Sequence, residues 1–236
     1  MSVRLSVRLV SMTAQITNED LAKSLSAHAE RLAFTATLEG TGEPSVRDSQ
    51  VRNILARSAE ILRGAASLGR QGNSVALGVL ARTVVESLIL LLWVEVSDEN
   101  ALHQSNAGLA EFKRVARVNM ERGTLKVKNS KTGEDATAEF LRSERFKDLP
   151  KSKKIVDQAK EAGVEHLYDV LYRFQSMSTH GHDIGNEGHD TEALVAIDMQ
   201  AIGALSTAIG HAGLRWLLHR ERTDNESLRI VLGIQG

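Results

Sequence analysis

Apolar residues recur three and four positions apart along most of the chain, the spacing that gathers them on one face of an α-helix. From Glu19 to about Leu38, Leu21, Leu25, His28 and Leu32 trace a first helix, which stops at the turn-forming run Gly40-Thr41-Gly42-Glu43-Pro44. Val51, Ile54, Leu55, Ala59, Leu62, Ala65 and Ala66 trace a second, ending near Gly69, with Asp48 expected to cap its start. Asn73-Ser74 opens a third helix through Val96 that is apolar nearly all round and is therefore expected to be the most buried. A fourth runs from about Glu99 to Met120 on Leu102, Leu109, Phe112, Val115 and Val118, and Gly123 ends it.

The pattern changes at Thr124. Lys126, Lys128, Lys131, Arg142, Arg145, Lys147, Lys151, Lys153 and Lys154 crowd a stretch with little apolar periodicity, apart from a short helix expected near Ala136 to Ser143. Such a stretch, about 124–154, is either a solvated excursion or a basic arm for a polyanion, and the first is the expectation. Helical spacing resumes in a long predicted helix from Ile155 to Met177, on Ile155, Ala159, Ala162, Leu167, Val170, Leu171 and Phe174, weakened in its middle by Gly163. A glycine- and histidine-bearing loop, Thr179 to Asp190, leads to a last helix from Thr191 to about His219, where Gly203, Ala204, Ala208, Gly210, Ala212 and Gly213 permit close packing. No fixed-period repeat occurs, and no strand signal exceeds Leu125-Lys126-Val127-Lys128. The elements predict an all-α fold, an antiparallel bundle of about six main helices joined by short loops. The expected organisation is a flexible N-terminus over 1–18, one domain over 19–220 and a tail over 221–236.

Composition narrows the chemistry. The 236 residues include two prolines and are 42% hydrophobic, enough to bury a core without staples and to leave helices uninterrupted. A formal net charge of −1 supplies no global attraction to nucleic acid or anionic lipid, so a polyanion has to be met by a local patch. The absence of cysteine excludes disulfides, thiolate nucleophiles, zinc fingers and iron–sulfur ligation, and suits a cytoplasmic protein without cofactors. Arg4 and Arg8 interrupt any secretory core, and Met12 stands as an alternative initiator just before the helix start at Thr17. Val75 to Val96 is long enough to raise a membrane span, but Arg82 and Glu86 at its centre favour a buried helix, and no membrane partner is expected.

The segment Tyr168-Asp169-Val170-Leu171-Tyr172-Arg173-Phe174-Gln175-Ser176-Met177-Ser178-Thr179-His180 carries the leading chemistry. On a continuous α-helix, seven residues make nearly two turns, so Arg173 and His180 would share a face with Ser176 between them. An imidazole with a pKa near 6.5 can move a 2′-hydroxyl proton, while a permanently charged guanidinium holds the scissile phosphate. Ser176 or Ser178 could bind the phosphate or orient the ring. Arg82 and Glu86, four apart on the apolar helix, form a structural ion pair or, more sharply, a polar pocket in which Glu86 fixes His180. The bland alternative pairs Arg173 with Asp169 and leaves His180 at a helix C-terminus.

Arg173, six intervening residues and His180 near the end of a long helix resemble the R-x(4–6)-H motif of HEPN domains, although Phe174 replaces the polar residue that usually follows the arginine. Arg82-Thr83-Val84-Val85-Glu86 taken with Tyr172 through His180 is also similar to a widespread family of uncharacterised bacterial helical proteins, over roughly Leu68 to Trp216. The resemblance implies a metal-independent endoribonuclease or RNA-binding protein of a bacterial stress, toxin or phage-defence system. It would act as a homodimer, with RNA and an antitoxin or defence-system protein as partners, His180 as general acid/base, Arg173 as phosphate ligand, and Arg82, Glu86 and Tyr172 in support. A non-enzymatic helical interaction or scaffold protein is the alternative. A third reading makes His180, His182, Glu187 and His189 a metal site for hydrolysis, since these supply nitrogen and oxygen ligands within one loop.

Overall fold

The computed structural model describes residues 16–38, 43–173 and 191–219. Among them the fold is all-helical, with a lone antiparallel bridge between Lys128 and Asp135. Helix α1 spans Asn18–Thr37, α2 Val46–Arg70, α3 Ser74–Val96 and α4 Asp98–Glu121. Each begins on a side-chain oxygen that accepts from an otherwise unpaired backbone N–H: Thr17, Ser45, Asn73 and Ser97. Asp48 does not cap α2. Ser45 does, and Asp48 lies three residues on, closing a capping box by accepting from the Ser45 N–H at 2.8 Å.

Beyond Gly123, whose φ of +70° suits glycine, the chain forms α5 at Thr137–Arg142 and a 3₁₀ turn at Glu144–Phe146. This basic stretch is anchored: Phe146 is buried, stacks on Phe112 of α4 and meets Phe140 edge-on. The expected helix from Ile155 to Met177 is broken. Helix α6 covers only Ile155–Glu161, Gly163 turns the chain at φ +69°, and a π-helical segment follows at Leu167–Tyr172. The last helix, α7, is Thr191–His219.

The core is shared by α1, α2, α3 and α7. Arg70 pairs with Glu19 and Arg63 with Glu30, both at distances near 3 Å, so α1 and α2 run in opposite senses. Along α7 the order is reversed: Gly203 faces Leu25, Gly210 faces Leu32 and Gly213 approaches Thr35, so α7 runs parallel to α1. The expected antiparallel arrangement therefore holds for the α1–α2 hairpin and not for this pair. The long connection from α3 to α7 removes the constraint that a short loop imposes on direction. These glycines are used in packing within the chain.

Two stripes point elsewhere than expected. Helix α4 turns Ala101, Ala107 and Ala116 inward and leaves Leu102, Phe112 and Val115 about half exposed, because small residues let it lie close on α2 and α3. Val170 is exposed as well, in the π-helical segment. Helix α3 and the Thr191–Leu218 stretch of α7 are each long and apolar enough to cross a membrane by length and composition. In this fold they pack on one another, with Trp93, Leu77, Ile89 and Leu91 of α3 wholly buried.

Candidate functional site

The π-helical turn positions the site. Its hydrogen bonds reach five residues back, so each turn holds more residues than the 3.6 of an α-helix and side chains four apart lie almost over one another. Tyr168 and Tyr172 accordingly stack with ring centres 4.9 Å apart and planes 18° from parallel. In the next register Asp169 and Arg173 pair at 3.4 Å, and the Arg173 guanidinium lies 5.5 Å from the Tyr168 ring centre. Arg82 reaches across from α3, donating to the Tyr172 hydroxyl at 2.7 Å with its Cζ 4.8 Å from the centre of that ring. Its Nε donates to Glu86 Oε1 at 3.3 Å.

Two guanidinium groups thus bracket two stacked phenols, with a carboxylate beside each cation. Arg82 is mostly covered and Glu86 partly so, whereas Arg173 is 66% exposed and free to exchange Asp169 for an incoming anion. Each ring has one face on the other ring and the other face toward a guanidinium, so what the array offers an incoming ligand is the exposed Arg173 cation.

Of the residues singled out from sequence, the fold brings Arg82, Glu86, Tyr172 and Arg173 together. Ser176, Ser178 and His180 lie outside the described residues, as do His182, Glu187 and His189 of the alternative metal site. Among the described residues no group of three or more His, Asp or Glu side chains is disposed to hold a metal ion. Tyr168 was missed, although its spacing from Tyr172 is a signal for contact on any helix.

Two clefts flank α3. One, of about 620 Å³, is an end cleft where Arg47 pairs with Asp98 at 2.9 Å, Arg215 pairs with Glu95, and the Trp216 indole N–H donates to buried Asp48 at 2.9 Å. The other, of about 470 Å³, lies between α2, α3, α4 and α6 and takes Glu86 as part of its wall. On its border Lys153 donates to both oxygens of Glu161 at 2.7 and 2.8 Å and sits 5.2 Å from the Trp93 ring centre, while the Trp93 indole donates to Glu161 at 2.6 Å. The Lys153 and Trp93 hydrogen bonds, in that order, hold the Glu161 carboxyl below the usual glutamate range. Lys153 is thereby engaged inside the protein and is no free member of a basic arm.

The described residues define an all-helical protein with a surface arginine–tyrosine array beside a polar cleft. The chain belongs to a family of proteins of unknown function, DUF5677, whose model matches residues 49–191. That span contains Arg82, Glu86, Tyr172, Arg173 and the whole lining of the 470 Å³ cleft, whereas the end cleft draws Arg47, Asp48, Arg215 and Trp216 from outside it. No curated protein and no solved structure matches the chain.

Proposed function

We propose that the chain is a HEPN-like RNA-binding protein that cleaves RNA without metal. Arg173 holds the scissile phosphate and His180 serves as general acid/base, with Ser176 or Ser178 available to the phosphate. The reading extends to a homodimer acting in the cytoplasm, in a bacterial stress, toxin or phage-defence system with an antitoxin or defence-system partner. One observation carries it: the Arg82–Tyr172–Tyr168–Arg173 array, which fixes the turn to α3 and presents the exposed Arg173 guanidinium seven residues before His180. The exposed Arg173 guanidinium offers the local phosphate contact that an overall charge of −1 does not supply.

The test is incubation of purified protein with mixed-sequence RNA in EDTA, beside folded Arg173→Ala and His180→Ala variants. Cutting by the wild type, with 2′,3′-cyclic phosphate ends and silence of both variants, is the expected result. RNA left intact by the wild type favours a second reading, a non-enzymatic helical interaction protein. The Arg173–Asp169 pair and the half-exposed Leu102 and Val115 on α4 speak for that alternative.

A further inference from the structure

We propose that the 470 Å³ cleft between α2, α3, α4 and α6 is a nucleobase pocket in which Gln158 reads the hydrogen-bonding edge of the base. Gln158 of α6 is 7% exposed and lines the cleft, yet its carboxamide has no hydrogen-bond partner among the described residues. The residue is buried, yet its amide oxygen and nitrogen keep contact with the solvent of the cleft, so a ligand edge entering there meets donors and an acceptor that the protein leaves unused. The carboxamide offers two N–H donors and a carbonyl acceptor, the pair of functions that matches the adjacent donor and acceptor on a base edge.

The rest of the cleft suits a flat heterocycle. Ile54 and Leu90 give apolar walls for the ring faces, while the carboxamides of Asn53 and Gln104 supply further neutral donors and acceptors. Two cations and two carboxylates line the cleft, so it has no excess charge to select an ion. Glu86 belongs both to this cleft and to the array around Arg82, which sets a bound base beside the surface proposed for RNA. The choice of a nucleobase among flat heterocycles rests on the RNA reading; the presence of a ligand site rests on Gln158.

The shared chemistry has two sources, a base of an RNA strand or a free nucleotide. Titration calorimetry of the full chain with each of the four ribonucleoside 5′-monophosphates, and separately with a short single-stranded RNA, distinguishes them. Binding of RNA alone assigns the strand; binding of a monophosphate assigns the free nucleotide; either supports the pocket if Gln158→Leu weakens it about tenfold or more, the loss expected for a bidentate amide–base contact. The same variant should melt no lower than the wild type, because leucine fills similar space and removes no hydrogen bond among the described residues. Ala107→Leu, which fills the cleft from α4, should abolish the same binding by a second route. No binding by the wild type, or binding indifferent to both variants, overturns the proposal. RNA cut normally by Gln158→Leu, with unchanged affinity, removes the pocket and leaves the ribonuclease reading. Nucleotide binding that depends on Gln158 in a protein that cuts no RNA does the reverse.

Discussion

Arg82 holds Tyr172 in two ways, by a 2.7 Å hydrogen bond to its hydroxyl and by a guanidinium 4.8 Å from its ring centre. The contact ties the most apolar helix to the turn that carries Arg173. Tyr172→Phe keeps the ring and should lower stability by about 1 kcal/mol, the usual worth of such a hydrogen bond. Tyr172→Ala also loses the packing and should cost about 2–4 kcal/mol. Urea denaturation midpoints separate the two; equal losses would mean that the ring contributes nothing.

Arg173 is mostly exposed and its ion pair with Asp169 is an i, i+4 contact in water. Arg173→Ala should therefore change stability by less than about 0.5 kcal/mol while lowering RNA cleavage at least about tenfold. Parallel melting curves and cleavage rates check both halves, and retained cleavage would remove Arg173 from the proposed machinery.

Asp48 is almost wholly buried, closes the α2 capping box and accepts from the Trp216 indole. Asp48→Ala leaves a buried indole N–H without this acceptor and opens the cap, for a combined loss of about 2–4 kcal/mol. Asp48→Asn keeps an acceptor oxygen and should recover part of it. Guanidinium denaturation of the pair would expose a purely local role if both variants lost under about 1 kcal/mol, the value of a cap alone.

At Gly213 an added Cβ would lie 3.1 and 3.3 Å from the Leu55 methyl carbons and 3.5 Å from Thr35 Cγ2. Gly213→Val forces α7 away from α1 and α2 and should cost about 1–3 kcal/mol. Gly108 on α4 has open space around the same atom, so Gly108→Ala should be neutral or stabilising by up to about 1 kcal/mol. Thermal unfolding of the two variants gives opposite signs if α7 packs in this register.

Lys153 and Trp93 favour the ionised form of Glu161, so its folded-state pKa lies below the unfolded value of about 4.3. The stabilisation is complete above that value and is lost as pH falls through the lower folded-state pKa. Glu161→Gln should therefore flatten part of the acid-side loss of stability. Urea midpoints at neutral and acid pH, compared between the wild type and the variant, measure it; parallel curves would show that the contacts do not bias ionisation.

The helix starts at Thr17 and Asn73 and the stop at Gly123 were legible because they are local: Thr17 and Asn73 each accept from an N–H three residues on, and Gly123 ends a helix through its own φ. The cap of α2 was placed three residues late, because Ser45 leads the box Ser45-Val46-Arg47-Asp48 and Asp48 closes it. Along α2, α-helical spacing also identified the buried face from Val51 to Ala66.

Tertiary packing decided what spacing could not. Periodicity says that one face of a helix is apolar, but it carries no information on what covers that face. The parallel run of α7 beside α1, the inward alanines of α4 and the burial of Phe146 therefore follow only from the packed fold. The π-helical turn is of the same kind: its residues would suit an α-helix, and packing on α3 and α6 accompanies the wider turn that stacks Tyr168 on Tyr172. Arg82 and Tyr172 stand 90 positions apart. Their meeting, like the placing of Gln158 in the wall of its cleft, depends on side chains from distant helices sharing one space, a property of the packed chain that local patterning cannot encode.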